Sequence, residues 1–284
     1  KSYLSLLLNI PLSVLSAPDA PETLRSLTAS RTNIEADLVR PYVLALESAD
    51  IDSLQHISDD SANNDPQVRL ESLTIKYTDN AYIWLMFGYW HVNSHAISQA
   101  EQAFRKAIEC DGSFCLAWLA LGNILVLDGD RIDEAEAAYH QCLALNASLF
   151  SAWYSLGKLH LFLKKDPIHA RDAFTKAAKI APSNPLAWAM LGLAYWRSPQ
   201  PDITQAERSL LRCIELLSPD HREIKEPVLT TLCDIYEKSN RPQKEVDCRQ
   251  QLAELFPENA SHWILLGCVL HSTSHLEESI NAFR

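Results

Sequence analysis

The amino-acid sequence predicts an all-α fold, an array of antiparallel helix hairpins, and three observations carry that prediction. First, Trp84, Trp118, Trp153, Trp188 and Trp263 are each followed four residues later by Gly, a pattern that uses five of the seven Trp and five of the seven Gly. The first four are 34, 35 and 35 residues apart, and the last interval of 75 divides as 41 plus 34 with Leu229 at the missing position. Second, 16 to 18 residues after each of the first four Trp comes a small, large, small set whose steps of four and three share one helical face. Third, Gly is scarce and runs of alternating β-branched residues are lacking, which disfavours strands. A period near 34 residues is that of a repeat architecture.

The elements follow in order. Residues 1–65 read as a divergent helical N-terminal region, punctuated by Pro11, Pro18 and Pro21, with an apolar helix over Ile34 to Glu47 bent at Pro41. A polar loop, Ser58 to Asn64, leads to Asp65 as helix cap with Pro66 in the first turn, and Leu70 and Leu73 fit the second helix of a preceding repeat. The array proper spans 66–284. Its clear units are 81–114 with Ala100, Phe104 and Ala107; 115–149 with Ala135, Tyr139 and Cys142; 150–184 with Ala170, Phe174 and Ala177; and 185–219 with Ala206, Leu210 and Cys213. Gly112, Pro182 and Pro219 terminate the second helices, whereas Ala147 stands at that place in the second unit.

A degenerate unit covers 226–259. It keeps Leu229, Leu232, Tyr236, Leu252 and Pro257, but Cys233 replaces the Gly and Glu245 and Arg249 replace the Ala and the aromatic, through degeneracy or a local shift of the second helix. A last unit, 260–284, starts at Trp263 and reaches Phe283 before the chain stops at Arg284, so a fragment of a longer protein is expected. The residue types have a physical rationale. Gly on one helix and Ala on its partner let two backbones approach, the large residues fill the seam, and stacked hairpins bury what one hairpin cannot.

This pattern of Trp, Leu-Gly, Tyr, Ala, Phe, Ala and Pro resembles the tetratricopeptide repeat, over roughly residues 66–284 and most specifically over 81–219. The resemblance implies a right-handed α-solenoid whose first helices line a concave groove, with the residues one and five after each Trp facing it. Those rows hold Leu85, Tyr89, Leu119, Asn123, Tyr154, Lys158, Ala189 and Leu193, with Trp196 and Arg197 a turn further. The implied groove is aromatic and apolar with sparse positive charge, suited to an extended or helical peptide. The alternative for these residues is packing between adjacent repeats. The carboxylate clamp of chaperone-tail receptors within the family is not matched: its places hold Leu85, Tyr89, Ala120, Ser151 and Ser155, and only Asn123 keeps a Gly-Asn pair.

Composition narrows the function classes. The net charge of −11, from 25 Lys plus Arg against 36 Asp plus Glu, opposes direct nucleic-acid binding, which needs clustered cations. Seven Cys without Cys-x-x-Cys spacing fit neither a disulfide framework nor a zinc ribbon and point to a reducing compartment, cytoplasm or nucleus. Secretion is the alternative, raised by the sequons Asn146-Ala147-Ser148 and Asn259-Ala260-Ser261 and by an apolar run, Tyr3 to Ile10, that lacks an initiating Met. No stretch is long and apolar enough to span a membrane.

No phosphate loop, nucleophile elbow or zinc-protease motif occurs, and no cofactor is expected. His91 with His95, and His271 with His275, have a spacing usable for a metal but no carboxylate partners, and are read as surface or capping residues. The leading expectation is a non-enzymatic scaffold or adaptor that binds a peptide segment or partner subunit within a multi-subunit assembly. One alternative is a regulatory or substrate-recruiting repeat module of a longer enzyme; another is self-association.

Overall fold

The computed structural model describes residues 74–75, 78–218 and 221–283. The readings for residues 1–65, for Pro66, Leu70 and Leu73, and for Pro219 and Arg284 lie outside the described residues. Among the described residues between 81 and 282 there are twelve α-helices: α1 (Ala81–Asn93), α2 (Ile97–Cys110), α3 (Cys115–Leu127), α4 (Ile132–Leu145), α5 (Phe150–Lys158), α6 (Pro167–Ile180), α7 (Pro185–Arg197), α8 (Ile203–Leu216), α9 (Arg222–Lys238), α10 (Pro242–Leu255), α11 (Ala260–Ser272) and α12 (Leu276–Ala282). There is no strand among the described residues. A π-helical turn, Leu159–Leu163, follows α5. The helices fall into two compact units, the first ending at Leu159 and the second beginning at His160.

Local chemistry explains the ends of the helices. Asn80 Oδ1 accepts from the Tyr82 and Ile83 amides, Asp166 caps α6 ahead of Pro167, Asn184 caps α7 ahead of Pro185, and Asp202 and Asn259 cap α8 and α11. Both glycosylation sequons serve as such local structure. Asn146 Oδ1 accepts from the Ser148 amide and hydroxyl, and Asn259 Oδ1 accepts from the Ser261 amide.

Tight turns inside the hairpins use left-handed residues: His95, Gly129, Lys165, Asn240 and Ser274 have φ of 59°, 70°, 53°, 52° and 67°. At His95, Asn240 and Ser274 the next amide bonds back to a carbonyl five residues earlier, as Ala96 does to His91 at 2.8 Å, which satisfies helix-end carbonyls. The α7–α8 connection has Pro199 and Pro201 instead.

The cores of the hairpins are built from one contact repeated. A Cβ placed on Gly88 would lie 2.3 Å from the Phe104 ring, on Gly122 2.5 Å from Tyr139, on Gly192 2.6 Å from Leu210 and on Gly267 2.6 Å from Phe283. Only a residue without a side chain permits that approach. Phe104, Tyr139 and Leu210 are closed from solvent, and Ala100, Ala135 and Ala206 beside them are fully buried.

All five repeat tryptophans donate their indole N–H to the carbonyl six residues earlier: Trp84 to Thr78, Trp118 to Gly112, Trp153 to Ala147, Trp188 to Pro182 and Trp263 to Pro257, at 2.7–3.1 Å. Each bond ties a first helix to the loop that precedes it. Leu229, at the corresponding place on α9, has no such donor.

The fifth hairpin solves the same packing problem differently. Arg249 stands where the others have Phe, Tyr or Leu, and Glu245 where they have Ala; their side chains are 11% and 9% exposed and pair at 2.7 Å. The second helix therefore keeps its register and turns a charged pair inward, with the cost of burying two ions offset by their mutual contact.

Candidate functional site

Within the first unit the row five residues after the Trp remains accessible. Tyr89 is half-buried with its ring edge-on to Phe104 at 5.3 Å, and Asn123 and Lys158 are exposed. Lys158 Nζ lies 5.8 Å from the Tyr154 ring, which itself stacks on Phe150 at 5.6 Å. Burial pushes the Tyr154 phenol up to about 12, so it is neutral at physiological pH.

The row directly after the Trp is placed differently. Leu85 and Leu119 are 0% and 5% exposed inside the core of the first unit, and Ala189 is buried in the second. These side chains face neighbouring helices. They correspond to the packing alternative that apolar identity alone could not separate from ligand contact.

Asn123 is engaged within the molecule. Its Oδ1 accepts from the Tyr139 hydroxyl at 2.8 Å, and the same phenol is hydrogen-bonded to Ser155. Tyr139 of α4 thus links α3 to α5, and its burial raises its pKa well above the ordinary phenol range. Asn123 as a residue is exposed, and its amide group carries two further donors.

In the second unit Leu193 is half-buried, and Trp196 and Arg197 follow at the end of α7. The Arg197 guanidinium lies 5.4 Å from the centroid of Phe162, a π-turn residue that is 41% exposed, and Lys238 Nζ lies 4.9 Å from the Trp196 ring. Arg171 similarly lies over Tyr195 at 5.7 Å. Cations held over aromatic faces make a surface that offers both an apolar plane and a positive charge.

Phe162 and Lys238 were not legible as members of this surface. The π-turn that presents Phe162 has no Gly or Pro to announce it, and Lys238 lies beyond the repeat's signature positions on α9. An open depression of about 540 Å³ lies elsewhere on the second unit, between Trp188 and the α8 side chains Arg208, Leu211 and Arg212.

The histidine pairs are separated by the turns. His91 is buried while His95 occupies a left-handed turn position, and His275 stands just before α12, making no side-chain bond to its amides, while His271 lies in the last turn of α11. Among the described residues no group of three His, Cys, Asp or Glu is arranged to hold a metal ion. No helix among them is long and apolar enough to cross a membrane.

Taken with the Gly contacts and the indole bonds, these hairpins define an all-α tetratricopeptide-repeat fold. Solved structures of the same fold include YrrB, a TPR protein with an unusual peptide-binding site, at 16% identity over 72% of this chain and 97% of that one, with a TM-score of 0.55. A chain of the APC/C hetero-tetramer Cut9–Hcn1 is 19% identical over 93% of this chain and 55% of that one, also at 0.55. PilF of Pseudomonas aeruginosa is 15% identical over 69% and 85%, at 0.57. Neither a family model nor a curated protein matches the sequence.

Proposed function

We propose that the protein is a non-enzymatic scaffold or adaptor that binds a peptide segment or a partner subunit on the face carried by its first helices. One observation carries the reading: the position five residues after each Trp stays accessible and changes chemistry from hairpin to hairpin, while the invariant Trp and Gly are spent on packing. In the first unit that face offers Tyr89, Asn123, Tyr154 and Lys158; in the second it offers Leu193, Trp196 and Arg197, with Phe162 beside them. Aromatic planes supply contact area at low entropic cost, and Asn123, Lys158 and Arg197 supply orientation.

The peptide-binding site of YrrB and the assembly of Cut9 with Hcn1 support a role of this kind, in a multi-subunit complex. The seven free thiols support a reducing compartment, the cytoplasm. Net charge supports a protein partner and not a nucleic acid.

The test is a pair of surface variants, Tyr89→Ala with Lys158→Glu, and Leu193→Glu with Arg197→Glu. Each is compared with the parent by affinity purification and quantitative mass spectrometry, with helicity and melting temperature as controls. Loss of a defined set of co-purifying proteins at unchanged melting temperature is expected. An unchanged set for both variants removes this face as the binding surface.

A second reading, self-association, rests on the last hairpin, where Ile264, Leu265, Leu276 and Ile280 are 46–56% exposed. Light scattering across concentration tests it, and a strict monomer excludes it.

A further inference from the structure

Two thiols of the fifth hairpin stand apart from the scaffold. Cys233, on α9, takes the place that Gly holds in the other hairpins, so its Sγ enters the seam against α10 and is 1% exposed. Cys248, on α10, is 5% exposed; its Sγ is 3.6 Å from the carbonyl of Leu229, one turn before Cys233. The two thiols interact across the α9–α10 seam.

A small cavity opens onto one of them only. It measures about 50 Å³ and is lined by Thr230, Cys233, Arg249, Leu252, His262 and Leu265. A single water needs about 10–15 Å³ of such space, so a molecule of two oxygen atoms fits against the sulfur. Cys248 does not line this space.

The surrounding charges distinguish the two sulfurs further. Arg249 and Glu245 of α10 and Asp234 of α9 act on Cys233, and His262 of α11 lines the cavity while bonded to Glu226 of α9. Its interaction with Cys248 holds the Cys233 thiol below its ordinary range, against burial and assisted by the Arg249 guanidinium. The same interaction, with burial, pushes Cys248 up, so that Cys248 keeps its proton.

We propose that Cys233 and Cys248 form a peroxide-oxidisable dithiol, with Cys233 the attacking sulfur at the foot of the cavity and Cys248 the resolving one, closing a reversible disulfide between α9 and α10. The Cys233 thiolate attacks one oxygen of a hydroperoxide; the S–O bond forms, the O–O bond breaks and hydroxide or alkoxide departs, leaving a sulfenic acid. The Cys248 sulfur then attacks the sulfenic sulfur; the S–S bond forms, the S–O bond breaks and the oxygen leaves as water with the Cys248 proton. Two electrons pass from the dithiol to the peroxide, and a reducing dithiol reverses the result.

The remaining thiols supply internal controls. Cys142 and Cys213 are buried, and burial pushes Cys213 up to about 11. Cys268 is exposed and competes for any oxidant by access alone.

The experiment treats the reduced full chain with hydrogen peroxide, in parent and Cys268→Ser forms, then alkylates free thiols under denaturing conditions and maps peptides without reduction. The expected result is one intramolecular link joining the Cys233 and Cys248 peptides, a loss of the mass of two hydrogens, and full reversal by dithiothreitol. In Cys248→Ser, dimedone should trap a sulfenic acid at Cys233 at a rate about tenfold above that at Cys248 in Cys233→Ser. These near-isosteric variants are checked by circular dichroism; if either unfolds, the peptide map of Cys268→Ser decides alone. Full alkylation of Cys233 and Cys248 after peroxide, or linkage of either to another cysteine, overturns the proposal. Equal trapping in the two single variants overturns the assignment of Cys233 as the attacking sulfur.

Discussion

Replacing Gly122 with Ala separates helix propensity from interhelical packing. In an isolated helix the change is favourable by about 1 kcal/mol, because Gly gives up more backbone entropy than Ala. Here the new methyl would stand 2.5, 2.7 and 3.1 Å from three carbons of the Tyr139 ring, where ordinary contact begins at 3.4 Å. The ring cannot simply swing aside. It is 2% exposed, and its hydroxyl is held by Asn123 at 2.8 Å and by Ser155. Either α3 and α4 separate by most of an ångström, or the phenol gives up its partners. Overpacking of this kind costs about 1–3 kcal/mol and a lost buried hydrogen bond about 1 kcal/mol more, so the net loss is about 1–3 kcal/mol after the propensity gain. Urea unfolding followed by helical circular dichroism measures it as a lower midpoint. A companion pair isolates the cause: in a Tyr139→Ala background, which removes the ring, Gly122→Ala should lose much less. An unchanged or raised midpoint in the Tyr139 protein would refute the close-approach argument, and an equal loss in both backgrounds would remove the ring as its cause.

Three further outcomes are expected. Trp153→Phe keeps an aromatic plane but removes the indole donor to Ala147, and should lower stability by about 1 kcal/mol; no change in the thermal midpoint would leave that bond without energetic weight. Lys165→Gly relieves a left-handed residue at φ 53° and should stabilise by about 0.5–1 kcal/mol, whereas Asn240→Gly, replacing a residue that tolerates this conformation, should gain less than half as much; equal effects at both sites would contradict the strain argument. Burial pushes the Glu207 carboxyl up, but Lys244, Arg241 and the Tyr236 hydroxyl hold it below the usual carboxylate range. Its folded pKa is therefore depressed, so its contribution is present above the ordinary carboxylate pKa and is lost as pH falls through the folded value. Thermal midpoints measured from pH 7 down to about 3 should fall less steeply in Glu207→Gln than in the parent.

The fold class was legible because the seam contacts use residue types at the extremes of size. Gly88, Gly122, Gly192 and Gly267 meet their large partners at a distance nothing but Gly allows, so the sequence cannot vary there without moving a helix. The cap residues Asn80, Asp166 and Asn184 satisfy orphan amides at the starts of α1, α6 and α7, but the repeat pattern does not mark them.

The candidate face was less legible. Leu85 and Tyr89 both belong to rows that the resemblance assigns to the groove, yet Leu85 is enclosed and Tyr89 half-open. That difference depends on which neighbouring helix covers each residue, which single-sequence periodicity does not encode. The π-turn at Leu159–Leu163 and the hydrogen bond between Tyr139 and Asn123 were hidden for a similar reason. The first is a shift in backbone bonding without a marker residue, and the second joins residues of two different helices. In the fifth hairpin, Glu245 and Arg249 looked like departures from the pattern, but four-residue spacing lets them satisfy each other inside it.

The indole bonds carry a consequence for how disturbance spreads along the chain. Each one fastens a hairpin to the loop behind it through a neutral donor and acceptor, a junction that added salt barely affects. At α9 the junction is of another kind, because Leu229 has no donor and the tie to α8 runs through Glu207, which holds Arg241 at 2.7 Å, Lys244 at 2.6 Å and the Tyr236 hydroxyl at 3.2 Å. Arg241 and Lys244 are 42% and 53% exposed, so mobile ions weaken this attachment and leave the indole junctions nearly as they were. The first-to-second hairpin joint carries both kinds of tie, since Arg131 pairs with Glu101 at 2.9 Å alongside the Trp118 indole bond, whereas the fourth-to-fifth joint lacks the indole bond. Amide exchange in α9 and α10 should accelerate in salt ahead of exchange in α3 and α4, where the Trp118 indole bond persists beside the Arg131–Glu101 pair, so that solvent ions act most strongly at the fourth-to-fifth hairpin joint.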